Sequence, residues 1–215
     1  MPNQTYPINI ANEDLILLSE KGILLPQHKT LLLADVHLGK GGHFRKSGIP
    51  IPKQLAQEDL ATLSDLIDKY QPETIIFLGD LFHSDFNQDW EWFKLWRELH
   101  QNIKLILVKG NHDILPEHFY KQLNILVINE YVLGPFLLLH DLPKEKSNKF
   151  TIYGHLHPGI TISGRGKQKI SLPCFYFRET EAILPAFGKF TGKYTLKNND
   201  NAQIFAVGGS KIFKI

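Results

Sequence analysis

LLLADVHLGKGG (residues 31–42) opens as an apolar run and closes on a carboxylate, an imidazole and glycines. Thr30 to Ala34 read as a buried strand with Asp35 and His37 at its mouth. Polar side chains there cost free energy unless something uses them, because a buried polar group without a partner is unfavourable. The same design recurs down the chain. TIIFLGD (74–80) ends in Gly79 and Asp80, IKLILVKGNHD (103–113) in Gly110, Asn111, His112 and Asp113, a later strand in His140 and Asp141, and KFTIYGHLHP (149–158) in Gly154, His155 and His157.

The segments between these strands set the fold class. Residues 52–70 fit a helix with Pro52 in its first turn and Leu55, Leu63, Leu66 and Ile67 near one face. NQDWEWFKLWRELHQN (87–102) places Trp92, Trp96 and Leu99 at helical spacing, so its tryptophans, Trp90 included, read as core and surface positions of an amphipathic helix. Upstream, LILLSEKGILL (15–25) predicts two short strands around a turn at Glu20, Lys21 and Gly22. Beyond Ile125 the pattern is strand after strand without long helices, and TGKYTLKNNDN (191–201) reads as an exposed turn. A first half alternating strand and helix and a second half of strands suit an α/β fold of two packed sheets with helices outside. No repeat, low-complexity tract or linker divides the chain, which predicts a single domain over residues 1–215.

Composition narrows the function classes. The 215 residues are 43% hydrophobic and 21% charged, the balance of a folded soluble protein. No apolar run approaches the roughly 18 residues of a membrane helix, and the N-terminus lacks the basic segment of a secretion signal. One cysteine, Cys174, sits in an apolar strand; it reads as buried packing and fits a reducing cytoplasm. A net charge of +2 is too balanced to indicate nucleic-acid binding by itself, so any polyanion contact must come from local patches.

In open α/β sheets, sites form where loops leave the carboxyl ends of strands, so the five polar segments are expected to converge. Five of the ten histidines lie in them. Asp and Asn oxygens with imidazole nitrogens and no thiolate describe a site for divalent ions such as Mn, Fe or Zn. Seven candidate ligands, Asp35, His37, Asp80, Asn111, His140, His155 and His157, exceed the needs of one ion and imply two. Two ions roughly 3.5 to 4 Å apart clamp attacking and leaving oxygens and generate a hydroxide near neutral pH, with a carboxylate as the natural bridge.

The ordered blocks DVH (35–37), GD (79–80), GNHD (110–113), His140 and GHLH (154–157) resemble the five motifs of the calcineurin-like metallophosphoesterases. That resemblance implies a four-layer αββα sandwich of two mixed β-sheets flanked by helices. It implies that Asp35, His37, Asp80 and His157 hold one ion and Asp80, Asn111, His140 and His155 the other, with manganese first and iron or zinc as alternatives. His112 would contact the phosphate and protonate or stabilise the leaving oxygen. A narrower resemblance rests on ADVHLGKGGHFRKSGIPIP, GDLFHS, LPCFYF and LPAFGKFTG, which look like the small ICC-like bacterial phosphoesterases, some described as ligase-associated DNA damage response endonucleases. It implies a nucleic-acid substrate, a role in DNA repair and association with a DNA ligase or helicase. Oligomeric state stays open.

His83 departs from the family, where many members have an acidic or amide residue three after the second-block Asp; it reads as a neighbour of the ligands or a substrate contact and is not assigned as a ligand. Asp113 reads as a cap on neighbouring backbone and Asp141 as an ordinary loop acid. Arg45 is a candidate phosphate grip, since its guanidinium suits bidentate contact, while Lys40, Lys46, Arg165, Lys167 and Lys169 read by default as solvated charges on loops beside the ligands. Three functions remain in view: a metal-dependent nuclease or phosphodiesterase, a small-molecule nucleotide phosphodiesterase or phosphatase, and a non-catalytic scaffold. An open basic groove favours the first, a closed base-sized pocket the second.

Overall fold

The computed structural model describes residues 5–41, 44, 48, 54–83, 88–143, 147–164, 166, 168–196 and 201–215. Its first sheet has seven strands in chain order: β1 (Thr5–Ile10), β2 (Glu13–Leu18), β3 (Ile23–Leu25), β4 (Thr30–Leu33), β5 (Thr74–Leu78), β6 (Lys104–Val108) and β7 (Ile125–Ile128). The strands from β1 to β4 pair antiparallel, and those from β4 to β7 pair parallel. Helices α1 (Gln54–Tyr70), α2 (Gln88–Leu99) and α3 (Glu117–Gln122) supply the parallel crossovers, the last a short helix without an obvious sequence signal.

Strands β4, β5 and β6 are buried on both faces, which is why they read as unbroken apolar runs. Alternation sorts their side chains. Leu31, Leu33, Ile75, Phe77, Leu105 and Leu107 face the helices and meet Leu60, Leu63, Leu66, Phe93 and Trp96. Leu32, Ala34, Ile76, Leu78, Ile106 and Val108 face the second sheet and meet Phe136, Ile152, Phe175 and Phe205. Trp90 and Trp96 are core residues and Trp92 is on the surface, as the helical spacing requires.

The second sheet has nine strands: β8 (Tyr131–Leu133), β9 (Phe136–Leu138), β10 (Phe150–Tyr153), β11 (Pro158–Ser163), β12 (Lys169–Phe177), β13 (Glu181–Ile183), β14 (Tyr194–Thr195), β15 (Gln203–Gly208) and β16 (Lys211–Lys214). It is mixed, with β10 parallel to both β9 and β13 and the long β11–β12 pair antiparallel. Cys174 is fully buried there. Two mixed sheets packed face to face, with helices outside the first, answer to the α/β sandwich expected from the sequence. The described helices pack on the first sheet; the outer face of the second gathers Tyr153, Ile160, Tyr176, Ile183 and Ile204 with Leu139, Leu156, Leu172 and Leu196 from strands and loops. The segment read as an exposed turn after Thr191 is corrected in part: Tyr194 and Thr195 pair parallel with Pro158 and Gly159.

Candidate metal centre

The β4–β5 ladder does not stop where the strands end. Asp35 N–H donates to Gly79 O (3.2 Å), His37 N–H to Asp80 O (2.8 Å), Leu38 N–H to Leu81 O (2.9 Å) and His83 N–H to Leu38 O (2.9 Å). This extension brings the first two motifs side by side. Asp113 then ties in the third. Fully buried, its carboxylate accepts from Asp80 N–H (2.8 Å), Gly110 N–H (2.9 Å) and Phe82 N–H (3.2 Å), the backbone-capping role its position suggested. Burial pushes that carboxyl up to about 6, against the pull of the three amides.

Glycine is required where backbone meets ligand. Gly79 adopts φ of +78°, and a Cβ there would collide with the His140 ring; one on Gly154 would press on the Asp35 carboxylate at 2.6 Å. The ligand candidates themselves are under backbone constraint. Asp35, His37, Asp80, His155 and His157 all have left-handed φ between 48° and 64°, which such residues adopt at a cost of roughly 1–3 kcal/mol each. Glycine would adopt this backbone without that cost, so these positions are held for their side chains.

Two groups of ligand atoms converge on Asp80. Asp35, His37 and His157 form one group that could hold a metal ion, and Asp80, His140 and His155 the other. His157 Nε2 lies 3.2 Å from His37 Nε2 and 3.4 Å from Asp35 Oδ1. On the far side, His140 Nε2 lies 3.0 Å from Asn111 Oδ1 and 3.0 Å from His155 Nδ1. Asp80 reaches both, with Oδ2 3.8 Å from His37 Nε2 and Oδ1 3.6 Å from His140 Nε2. All seven sequence candidates therefore meet in one place. The base is buried at Asp35, His37, Asp80 and His140, while Asn111 opens to solvent.

The donor chemistry fits cations. His140 Nδ1 lies 3.0 Å from Leu78 O, and a carbonyl can only accept, so Nδ1 carries the proton and Nε2 presents a lone pair. That lone pair faces Asn111 Oδ1 and Asp80 Oδ1, both acceptors, and a cation relieves such a convergence. Asp35 Oδ2 accepts from His155 N–H at 2.9 Å, but among the described residues the buried Oδ1 has no hydrogen-bond partner. An orphaned carboxylate oxygen in the interior is costly unless an ion takes it. Burial above all, then Lys40 and the neighbouring imidazoles, push His37 down to about 2, so it stands neutral, the form a metal binds.

His112 sits at the edge of the first group. Its N–H donates to Asp80 Oδ1 (2.9 Å), and its ring lies 5.5 Å from that of His37 and stacks on His83 at 4.5 Å. His83 Nδ1 is 3.2 Å from His37 Nδ1, which makes it a neighbour of the ligand set that motif reading left unassigned. Lys40 is half-buried and feels both Asp80 and Asp35, so it is no free loop charge. Asp141 is exposed and accepts from the next backbone N–H, as expected of a loop acid. Lys169 is exposed at the start of β12. Arg45, Lys46, Arg165 and Lys167 lie outside the described residues.

Comparison with known proteins agrees with this geometry. The family model described as calcineurin-like phosphoesterase matches residues 28–174. A crystal structure of Pseudomonas putida nuclease MPE superposes with a TM-score of 0.83 at 31% identity, covering 98% of this chain and 100% of that one. Weaker matches are the phosphoesterase Yfce from E. coli (TM-score 0.45, 13% identity, 86% of this chain and 97% of that one) and a protein of Streptococcus pneumoniae described as a predicted phosphoesterase (0.29, 14%, 83% and 82%). Among curated proteins none matches. Among the described residues no helix is long and apolar enough to cross a membrane. The matched span contains every ligand candidate, and the chain belongs to the calcineurin-like phosphoesterases, as a metal-dependent phosphoesterase.

Proposed function

We propose that this chain is a dinuclear phosphodiesterase that cleaves nucleic acid, acting in bacterial DNA repair as one domain over its whole length. The observation that carries the reading is Asp80, whose two carboxylate oxygens face one imidazole from each ligand group. Asp35, His37, Asp80 and His157 would hold one ion, and Asp80, Asn111, His140 and His155 the other. When bound, a pair of divalent ions, manganese first and iron or zinc otherwise, lowers the pKa of a coordinated water and neutralises charge on the phosphoryl oxygens. The remaining work falls to the protein. His112 is half-buried beside the first group, where its imidazole can give a proton to the departing oxygen, a contribution of roughly 10²–10⁴-fold. Arg45 is the proposed phosphate grip. Asp113 acts through others, fixing the amides of Asp80 and Gly110 so that both motifs keep their spacing.

Nucleic acid as substrate is supported by the likeness to a protein named as a nuclease over nearly the whole chain. A cytoplasmic place, and a ligase or helicase partner, go with the same reading; a lone buried cysteine suits the former. One observation favours a second reading. Beside His140 lies an open cavity of about 660 Å³ lined by Leu137, Leu139, Leu142 and Pro143 with Lys109, Glu130 and Asp141, roomy enough for a nucleotide base. Metal-stripped protein resupplied with Mn separates the readings when assayed on bis-p-nitrophenyl phosphate, p-nitrophenyl phosphate, and labelled single- and double-stranded DNA. Diester and DNA cleavage, lost in His112→Ala, is the expected result. Turnover confined to monoesters or nucleotides overturns the nuclease reading, and no turnover with both ions bound favours a scaffold.

A further inference from the structure

Helix α2 is apolar on two faces. Trp90, Phe93 and Trp96 turn into the core against the first sheet. Trp92, Leu95 and Leu99, spaced i, i+3 and i+7, form a second stripe whose members are 37%, 53% and 82% exposed. The other helices on this side are polar where they meet solvent: α1 turns Glu58, Asp65 and Asp68 outward, and α3 Glu117 and Lys121. A helix that is apolar around most of its surface belongs in an interior, so the second stripe calls for a cover. Its charges say which one. Glu91, Lys94 and Glu98 are exposed and, at 3.6 residues per turn, stand together on one flank of the stripe, while the other flank turns inward at Trp96.

We propose that this face seats a second copy of the chain, with α2 packed antiparallel on α2 about a twofold axis beside Leu95. Such an interface is isologous, so every contact across it is made twice. Trp92 of one copy covers Leu99 of the other, Leu95 meets its own counterpart, and Lys94 reaches Glu98 of the second copy. Because the three charges occupy one flank, they meet their counterparts only when the helices run antiparallel; parallel helices would set this flank against the inward-turned one. Direction also decides what the pairing does to the site. Helix α2 leaves β5 and returns the chain to β6, which is parallel to β5, so it runs from the end of the sheet that holds the ligand candidates toward the other end. Antiparallel pairing therefore sets the two metal centres at opposite ends of the dimer and leaves each open to substrate. The pairing does not rest on the nuclease reading.

The test is sedimentation equilibrium of the metal-loaded full chain over a range of concentrations, read alongside tryptophan emission. A dimer with a Kd of about 1–100 µM is expected, as suits an interface centred on one short helix. Trp92 is the exposed tryptophan of the three, so emission should shift to the blue as the dimer forms. Leu95→Glu is expected to raise Kd by about 10-fold or more while turnover of bis-p-nitrophenyl phosphate per chain stays unchanged. Lys94→Glu and Glu98→Lys should each weaken the dimer about 3-fold, and an equimolar mixture of the two should restore it, since each copy then supplies the charge the other lacks. That recovery separates the interface from any pairing of residues 94 and 98 within one helix, which mixing cannot mend. Matching melting temperatures at high dilution establish that the variants fold. A chain still monomeric at about ten times the upper end of that range overturns the proposal and leaves the stripe to a partner of another kind. A dimer that Leu95→Glu leaves intact overturns this face as its seat, and no recovery on mixing overturns the antiparallel pairing.

Discussion

Gly79 carries the tightest local constraint in the centre. Its φ of +78° and the His140 ring against its Cα both exclude a side chain, so Gly79→Ala must either strain the backbone or displace the imidazole. The expected result is a loss of about 1–3 kcal/mol of stability, read by urea denaturation, together with reduced metal content from a shifted His140. Residues of this kind were legible beforehand. Asp35, His37, Asp80, Asn111, His140, His155 and His157 stand at strand ends after apolar runs, a position that is costly without a use, and all seven converge. His83 was legible only as a neighbour of the ligands or a substrate contact, because nothing along the chain says that a residue three beyond Asp80 folds back onto His37; that contact follows from Leu38 continuing the ladder to His83. Lys40 was read as solvated for the same reason, since its burial depends on packing rather than on pattern.

Among elements, helix α1 and the loop after β13 are joined by a buried carboxylate with a linked pH dependence. Asp59 accepts from Lys189 N–H at 3.2 Å, and burial pushes its pKa from 3.8 to about 6. Between those values the folded chain holds a proton that the unfolded chain has released, so stability is full below about pH 4 and falls as pH rises to about 6. Asp59→Asn keeps an acceptor for Lys189 and removes the titration. Its advantage in Tm over wild type should therefore grow across that window and then level off, with an upper bound of about 3 kcal/mol. Asp113, raised in the same direction, remains in the variant, so the slope is reduced and not abolished. A flat difference between the two proteins from pH 4 to 6.5 contradicts the burial of Asp59 as a charge. The elements themselves were readable wherever periodicity was strong. β14 escaped because two residues pairing with β11 leave no period to detect, and α3 because six residues make less than two turns.

For the whole molecule, two sheets press their inner faces together and let one edge of that sandwich collect the ligands. The fold class was legible because β4, β5 and β6 are apolar on both faces and alternate with amphipathic helices. The register of the second sheet was not, since its order, with β15 returning beside β12 and carrying β16 on its other side, depends on a pairing far apart in sequence. A site assembled from five segments of the chain makes metal binding a whole-molecule stabiliser, because the unfolded chain has no such convergence. Saturating Mn at about a hundred times its Kd should stabilise the stripped protein by about 2.7 kcal/mol for each independent site, measured as a rise in Tm. A Tm that does not respond to metal contradicts the assembly.

The measurement that bears most directly on the dinuclear centre is metal content per chain, by inductively coupled plasma mass spectrometry after reconstitution with Mn, for wild type and Asp80→Ala. Asp80 facing both groups predicts two ions per chain in the wild type and weakened retention of both in the variant. A single ion in the wild type, or two ions held undiminished without Asp80, contradicts it.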